Sequence, residues 1–227
     1  MACVDLSARL FACGELVPDG AYLADVGTDH AYLVISLLKR GKIARAVCSD
    51  INEGPLMRAR ANVADAGLTD KVDFCLADGA YALEKFKPDA YSVCGMGGEL
   101  IAEIVSKAPA MRNDGVSLVL QPMTRPEALR EYLITEGFFI KEERYVLDAG
   151  RYYAVISAVY DGKRREASRS ELYFGALPGK GDILAPERLG YLRQRANALS
   201  KMIEGKRRGG EPTEDDEELL SSVSHLI

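Results

Sequence analysis

The sequence predicts an α/β protein, with an open, mostly parallel sheet and helices on both faces, followed by a C-terminal helical hairpin. Three observations predict this. Helix-like and strand-like segments alternate from about residue 5 to residue 160, the pattern of a parallel sheet with crossover helices. Five strand-like segments each end in polar or glycine-rich residues: Asp25 to His30, Asp50, Asp78-Gly79, Gly95 to Gly98 and Gln121-Pro122. Ligands of such sheets bind beyond the carboxyl ends of the strands, so five such ends in register mark a binding mouth better than any single motif. Further on, Leu189, Leu192, Ala196, Leu199 and Ile203 repeat at spacings of 3, 4, 3 and 4, a heptad seam.

The elements follow in order. A helix from about Asp5 to Leu16 carries Leu6, Leu10, Phe11 and Leu16 on its apolar side. The first strand, from Ala21 to Val26, is followed by one glycine, Gly27, and a helix from Leu33 to Arg40. Ile43 to Ser49 is the second strand, ending at Asp50. Gly54-Pro55 opens the next helix, proline being favoured at an early helical position, and Gly67 stops it. Val72 to Ala77 is the third strand and Ala90 to Cys94 the fourth, with a helix after Gly95-Met96-Gly97-Gly98. Val116 to Leu120 is the fifth, ending at Gln121-Pro122, and a helix runs from Pro126 to Glu136. Phe138 to Leu147 and Tyr152 to Tyr160, joined by Asp148-Ala149-Gly150, make an antiparallel hairpin at the sheet edge. The heptad helix ends at Lys206-Arg207-Arg208 and Gly209-Gly210. A second helix opens at Pro212-Thr213, where Thr213 with Asp216 has the spacing of a capping box. The heptad seam is expected to close within the chain on this second helix, which carries Leu219, Leu220, Val223, Leu226 and Ile227.

Composition bounds the function. The 227 residues are 48% hydrophobic and 28% charged, ordinary for a globular protein. No apolar run approaches the roughly 20 residues that span a bilayer, and no signal peptide is evident, so a cytoplasmic protein is expected. The five cysteines, Cys3, Cys13, Cys48, Cys75 and Cys94, form no C-x-x-C pair and read as reduced thiols. His30 and His225 lie at opposite ends of the chain, so no Cys/His metal site is expected. The net charge of −5 hides a balance of −6 over residues 1–150, +7 over 151–210 and −6 over 211–227. A basic segment beside an acidic half can steer a polyanion; solvated helix faces are the simpler account. Lys206 to Arg208 close a helix and Glu214 to Glu218 open one, as the helix dipole favours. Lys163, Arg164, Arg165 and Arg169 have no such account and are the better candidates for a polyanion.

The first turn, Asp25-Val26-Gly27-Thr28-Asp29-His30, carries the most chemistry. In α/β folds it is where a nucleotide-like cofactor sits, at the free N–H groups of a helix start. It holds one glycine and two carboxylates, which would repel a pyrophosphate but suit a cationic, amine-bearing cofactor such as S-adenosylmethionine. It also lacks the G-x-G-x-x-G of a dinucleotide-binding oxidoreductase. Asp50, 23 residues after Gly27, has the spacing of a ribose-binding acid; a solvated loop is its other reading. Asp78 either accepts from an adenine amino group or makes an Asp-Gly turn. Gly95 to Gly98 either admit a ligand close to the backbone or make a tight turn. His30 either orients the turn or touches substrate, and Tyr32 reads as a packing residue.

DVGTDHAYL, INEGPL, LADG, GMGG, LQP and the N-terminal Leu6-Ser7-x-Arg9-Leu10 together resemble the bacterial tRNA (adenine-22-N1)-methyltransferases over nearly the whole chain. The resemblance implies a Rossmann-like class I methyltransferase sheet over residues 1–162 and a coiled-coil-like helical domain over 163–227 that helps to hold tRNA. It implies S-adenosyl-L-methionine as cofactor and N1 of adenine 22 as target. One departure is Met123, where the family pattern has the Asn of Gln-Pro-Asn. The expected cofactor residues are Asp25, Gly27, Thr28, His30, Asp50, Ile51, Asp78, Gly79, Gly95, Met96 and Gly97. Asp29 is the expected catalytic carboxylate. Gly98, Gln121 and Pro122, with the basic Lys163, Arg164, Arg165 and Arg169, are the expected substrate contacts, and a monomer is expected. Methylation of another RNA or a small molecule is the alternative among enzymes. A non-catalytic S-adenosylmethionine-binding module is the alternative outside them.

Overall fold

The computed structural model describes residues 6–176 and 184–227. In chain order the elements are α1 (Ala8–Leu16), β1 (Ala21–Val26), α2 (Tyr32–Lys39), β2 (Ile43–Asp50), α3 (Glu53–Asp65), β3 (Val72–Leu76), β4 (Ala90–Gly97), α4 (Gly98–Ser106), β5 (Ser117–Thr124), α5 (Pro126–Thr135), β6 (Phe138–Asp148), β7 (Arg151–Tyr160), α6 (Arg169–Phe174), α7 (Pro186–Gly209) and α8 (Glu214–Ser221). Short 3-10 turns cover Tyr81–Phe86 and Pro109–Arg112. The seven strands form one sheet in the order β3-β2-β1-β4-β5-β7-β6. β1 to β5 are parallel, and β7 returns antiparallel beside β5 with β6 at the edge.

Alternation along the strands explains the layering. Successive strand side chains face opposite sides of a sheet, so Leu23 joins one core with α1, α2 and α3, while Ala24 joins the other with α4 and α5. Both faces are covered, as a parallel sheet requires. The strand order reverses between β1 and β4, the switch point where such sheets leave a crevice.

Two strands run further than the sequence suggests. β4 continues through Gly95 and Met96 to Gly97, and β5 continues through Gln121-Pro122 to Thr124. They stay paired past the expected turns, Met96 opposite Pro122 and Gly97 opposite Thr124, with bulges at Met96. Pro122 is tolerated there because β7 pairs with β5 only as far as Leu120, leaving one side of that stretch without a ladder partner.

The C-terminal helices form their own small core. Leu192, Ala196, Leu199 and Ile203 of the heptad seam bury themselves with Leu219 and Val223, as expected, but also with Phe174 of α6. Leu189 is only partly buried. Lys206 and Arg207 pair with Asp216 and Glu217 across the turn, at 2.6 and 2.9 Å. The predicted capping box at Thr213 is absent: the Thr213 hydroxyl donates to Glu217, and Asp216 instead receives Lys206 and Arg169. Two cations on one carboxylate outweigh a single amide donor. A complete capping box stands instead at Ser168 and Glu171, opening α6. Asp5 and Cys3 lie outside the described residues; Cys13, Cys48, Cys75 and Cys94 are unpaired thiols.

A buried arginine joins this helical cluster to the sheet. Arg130 of α5 is 1% exposed. Its Nε donates to Glu143 of β6 at 3.0 Å, its Nη1 to the Leu172 carbonyl at 2.7 Å and its Nη2 to the Tyr191 hydroxyl at 3.0 Å. Burial pushes the guanidinium down, but Glu143 beside it outweighs that and holds it above its ordinary value. Arg188 of α7 donates to the Phe174 and Ala176 carbonyls and lies 4.1 Å from the centre of the Tyr145 ring. Gly190 lets α7 lie against Tyr152, since a Cβ there would stand 2.1 Å from its ring. Gln194 finishes the joint by donating to the Tyr152 carbonyl and accepting from its N–H, both at 2.8 Å.

Removing Glu143 would leave Arg130 charged, buried and unpaired. Glu143→Ala is therefore expected to cost about 3–5 kcal/mol, read by urea unfolding. A loss below ~1 kcal/mol would mean that the carbonyl and hydroxyl partners suffice on their own.

Candidate functional site

The β1–α2 turn lies at the switch point. A cleft of about 340 Å³ opens there, lined by Asp25 to Leu33, by Cys94 and Gly95 at the end of β4, and by Arg9 and Leu10 of α1. Asp25 is 8% exposed, and its two oxygens are both engaged. Ser92 of β4 donates to Oδ1 at 2.6 Å, and the Thr28 hydroxyl donates to Oδ2. Burial raises the Asp25 pKa, and these two hydroxyls only partly counter it. The Gly27 and Thr28 N–H groups both donate to the Ser49 carbonyl of β2 at 2.8 Å. Gly27 has φ +77°, and a Cβ there would lie 2.0 Å from the Met96 methyl, so only glycine fits.

Thr28 is buried, with its hydroxyl and N–H consumed inside the protein. Its side chain therefore braces the turn from the wall of the cleft. Helix-start amides come one turn later, and Tyr32 and Leu33 among them line the cleft. The first bond of α2 runs from Ile35 N–H to the Ala31 carbonyl at 2.9 Å, so the amides of Tyr32 to Val34 precede the ladder. Ala31 before them sits in the left-handed region, φ +56°, a conformation that costs a non-glycine residue on the order of 1 kcal/mol and clusters at ligand clamps.

At the mouth, Asp29 is exposed and pairs with Arg58 of α3 at 2.6 Å, with His30 Nε2 3.3 Å away. The His30 ring stacks on Tyr32, centroids 5.0 Å apart and planes within 8°. The His30 carbonyl accepts from Asn62 at 3.0 Å. Tyr32 is 41% exposed, so it forms an aromatic ledge with His30 and is not a core residue.

The other predicted residues follow the strand order. Asp50 ends β2, and its Oδ1 accepts from the Asn52 N–H at 2.7 Å; its second oxygen makes no bond among the described residues, as an acceptor for a diol requires. Ile51 beside it is 60% exposed, a flat apolar surface. Asp78 is exposed, and Gly79 has φ +74°. Gly95, at φ +81°, donates its N–H to the Gln121 side-chain oxygen at 3.1 Å. Gly98 is a packing glycine: a Cβ would lie 2.2 Å from the Arg125 carbonyl oxygen.

The Gln121 side chain is spent inside the protein. It is fully buried; its Oε1 accepts from Gly95 and from Arg9 at 2.6 Å, and its Nε2 donates to the Pro122 carbonyl. Its amide thus braces the junction of β4, β5 and α1 beside the cleft. Arg9, which the sequence reading did not single out, does line the cleft, bonded to Gln121 and 3.6 Å from Asp148. Its signals were its place in the Leu6-Ser7-x-Arg9-Leu10 motif and its position four residues before the buried Cys13 on α1.

The basic candidates fall elsewhere. β7 is antiparallel, with Val159 opposite Ser117, the first residue of β5. Lys163, Arg164 and Arg165 follow it at the amino ends of the parallel strands. Four residues of strand, about 13 Å, separate that end from Gln121. Arg165 pairs with Asp161, and its N–H donates to the Ile134 carbonyl. Arg164 lies 3.7 Å from Glu136, and Arg169 is tied to Asp215 and Asp216. These residues do not border the cleft.

Comparison with known proteins agrees with the fold. Residues 6–156 match the family model described as a methyltransferase domain. A Bacillus subtilis (strain 168) tRNA (adenine(22)-N(1))-methyltransferase is 32% identical over 81% of this chain and 76% of its own. A Streptococcus pneumoniae candidate tRNA (m1A22) methyltransferase, solved in complex with S-adenosyl-L-methionine, is 32% identical with TM-score 0.82, covering 96% of this chain and 99% of that one. M. capricolum TrmK, solved with S-adenosyl-homocysteine, is 25% identical with TM-score 0.75, covering 96% of this chain and 94% of that one.

The Asp25 site has a testable cost. Its folded pKa lies above the unfolded value, so ionised Asp25 subtracts stability as pH rises above the usual carboxylate range. Asn would keep an acceptor for Ser92, and Thr28 has a second acceptor in the Asp25 carbonyl at 3.0 Å. Asp25→Asn is expected to raise Tm by about 2–4 °C at neutral pH, the gain shrinking towards about pH 4. Calorimetry across that range checks it; a lowered Tm at neutral pH would contradict it.

Proposed function

This chain belongs to the tRNA (adenine(22)-N1)-methyltransferase family, and on that premise we propose that it transfers a methyl group from S-adenosylmethionine to N1 of adenine 22 in tRNA. The observation that carries the reading is the switch-point cleft, with its two carboxylates, aromatic ledge and unladdered helix-start amides. No helix among the described residues is long and apolar enough to cross a membrane. We take residues 1–162 as the catalytic domain and 163–227 as the helical domain. The burial of the heptad seam by α6 and α8 favours a monomer, and unpaired cysteines together with a tRNA substrate favour the cytoplasm.

The cofactor residues follow from chemistry. The free oxygen of Asp50 would accept from a ribose diol, Ile51 would offer an apolar surface to an adenine, and Asp78 would accept from its amino group. Asp25 offers a negative field with no open hydrogen-bond site, favourable to the cationic methionine end. The bound cofactor supplies an electrophilic methyl on sulfonium. Adenine N1 has an in-plane lone pair, so attack on that methyl needs no strong base. The protein's task is to align the base, exclude water and stabilise the cation that develops on the ring. Asp29 is our candidate for that stabilisation; Arg58 fixes its position and tempers its charge. The Tyr32–His30 ledge suits a base drawn from its stack, a step costing a few kcal/mol.

Transfer of labelled methyl to unmodified tRNA, beside an adenine-22→guanine version, tests the whole reading. Label is expected on the first alone. Asp29→Asn is expected to lower kcat by at least about tenfold while cofactor affinity stays within about twofold; unchanged turnover would remove Asp29 from the mechanism. Asp50→Ala is expected to weaken cofactor binding by about tenfold in calorimetry, and wild-type affinity would refute the ribose role.

A further inference from the structure

A second groove, of about 300 Å³, lies on the other side of the β5 end from the cofactor cleft. Its floor is Pro122, Met123 and Thr124, and one wall is the hairpin residues Arg151, Tyr152 and Tyr153. The opposite wall is Tyr191, Gln194, Arg195 and Ala198 of α7. Three arginines line it, Arg125, Arg151 and Arg195, and no carboxylate does.

The groove touches the catalytic end of the sheet through a continuous set of bonds. Gln121 accepts from Gly95 and Arg9 of the cleft, and the next residues of the same strand form the groove floor. Gly98 packs on the Arg125 carbonyl, joining the start of α4 to the start of α5. The walls are rigid as well. Gln194 holds the Tyr152 backbone by two bonds, and the Tyr152 ring rests on Gly190.

The charges are not all neutralised within the chain. Arg125 pairs with Glu127 at 2.9 Å and with Glu99 at 3.4 Å, and Arg195 shares Glu127 at 2.8 Å, so the groove charge left unpaired among the described residues is that of Arg151. Arg195 Nε is buried with no partner, while its guanidinium stacks 3.8 Å from the Tyr173 ring centre. Arg151, exposed at the hairpin turn, has no ion pair among the described residues. Arg125 sits in the left-handed region at φ +52°, a conformation that persists where the surrounding structure enforces it.

We propose that this groove seats the tRNA strand beside the target nucleotide, a phosphodiester on Arg151 and Arg125 and a neighbouring nucleoside against Met123 and Tyr152. The assignment rests on tRNA being the substrate. It replaces Lys163, Arg164 and Arg165, which stand at the opposite end of the sheet, as the RNA-contacting cations. It also gives Met123 a role, since an apolar side chain on the floor offers a surface for stacking where an Asn would offer hydrogen bonds. Arginine is suited to both parts of such a site, pairing with phosphate oxygens and stacking on bases.

The test measures tRNA methylation kinetics, tRNA binding across a salt series, and cofactor affinity for the wild type, Arg151→Glu, Ala198→Glu and Arg164→Glu. Arg151 and Ala198 are exposed, so all three variants are expected to melt as the wild type does. Arg151→Glu and Ala198→Glu should raise KM for tRNA by about tenfold, with cofactor Kd unchanged. Arg151→Glu should also reduce the slope of log binding against log salt by about one. Arg164→Glu should stay within about twofold of the wild type. A wild type that methylates tRNA, with Arg151→Glu and Ala198→Glu binding it normally, overturns the groove and leaves the proposed function standing. A larger loss in Arg164→Glu than in Arg151→Glu overturns it too. A wild type that binds cofactor but labels no tRNA overturns the substrate reading, and the groove with it.

Discussion

The hydrogen bond from Ser92 to Asp25 is the constraint on which the site depends. It joins the two central strands at the one place where the strand order reverses, and the same carboxylate takes the Thr28 hydroxyl that sets the turn. With Gly27 and Thr28 also bound to Ser49, three strands fix one short loop. The cost is a buried carboxylate whose charge finds hydroxyls and no cation. A ligand bearing positive charge supplies what the fold withholds, which is why a group that weakens the empty protein can strengthen the loaded one.

A second constraint decides what surrounds that cleft. Arg130 holds the helical cluster to the sheet through a carboxylate, two main-chain carbonyls and a hydroxyl drawn from separate elements. With Arg188, Gly190 and Gln194 it sets α7 against the β6–β7 hairpin. The groove beside β5 exists because of that docking, since one of its walls belongs to α7. The basic character of residues 151–210 is thus divided. Arg130's neighbour Arg188 serves the joint, Lys206 and Arg207 serve the helical turn, and Arg151 and Arg195 face the groove.

Much of the fold was legible because its determinants are local. Periodicity two or near 3.6, glycine stops and an early-helix proline set strands and helices close to where they stand, and the heptad seam closed within the chain. Boundaries failed where pairing between strands extended β4 through Gly95 and β5 through Pro122, a contact that no local signal encodes. The Thr213 cap failed because two distant cations, one of them on α6, took Asp216 away.

For the site, the sequence by itself determined which residues stand at the carboxyl ends of the strands, because chain order and strand length fix the ends of a parallel sheet. Asp25, Asp29, Asp50 and Asp78 were found in that way. Only the tertiary structure decided which polar atoms remain for a ligand and which cations stand near them. Gln121 and Thr28 spend theirs inside the protein, Arg9 arrives from a helix more than 100 residues away in sequence, and Lys163 to Arg165 are carried to the far end of the sheet by an antiparallel strand. Burial and strand direction are properties of the assembled layers, and no window of sequence contains them.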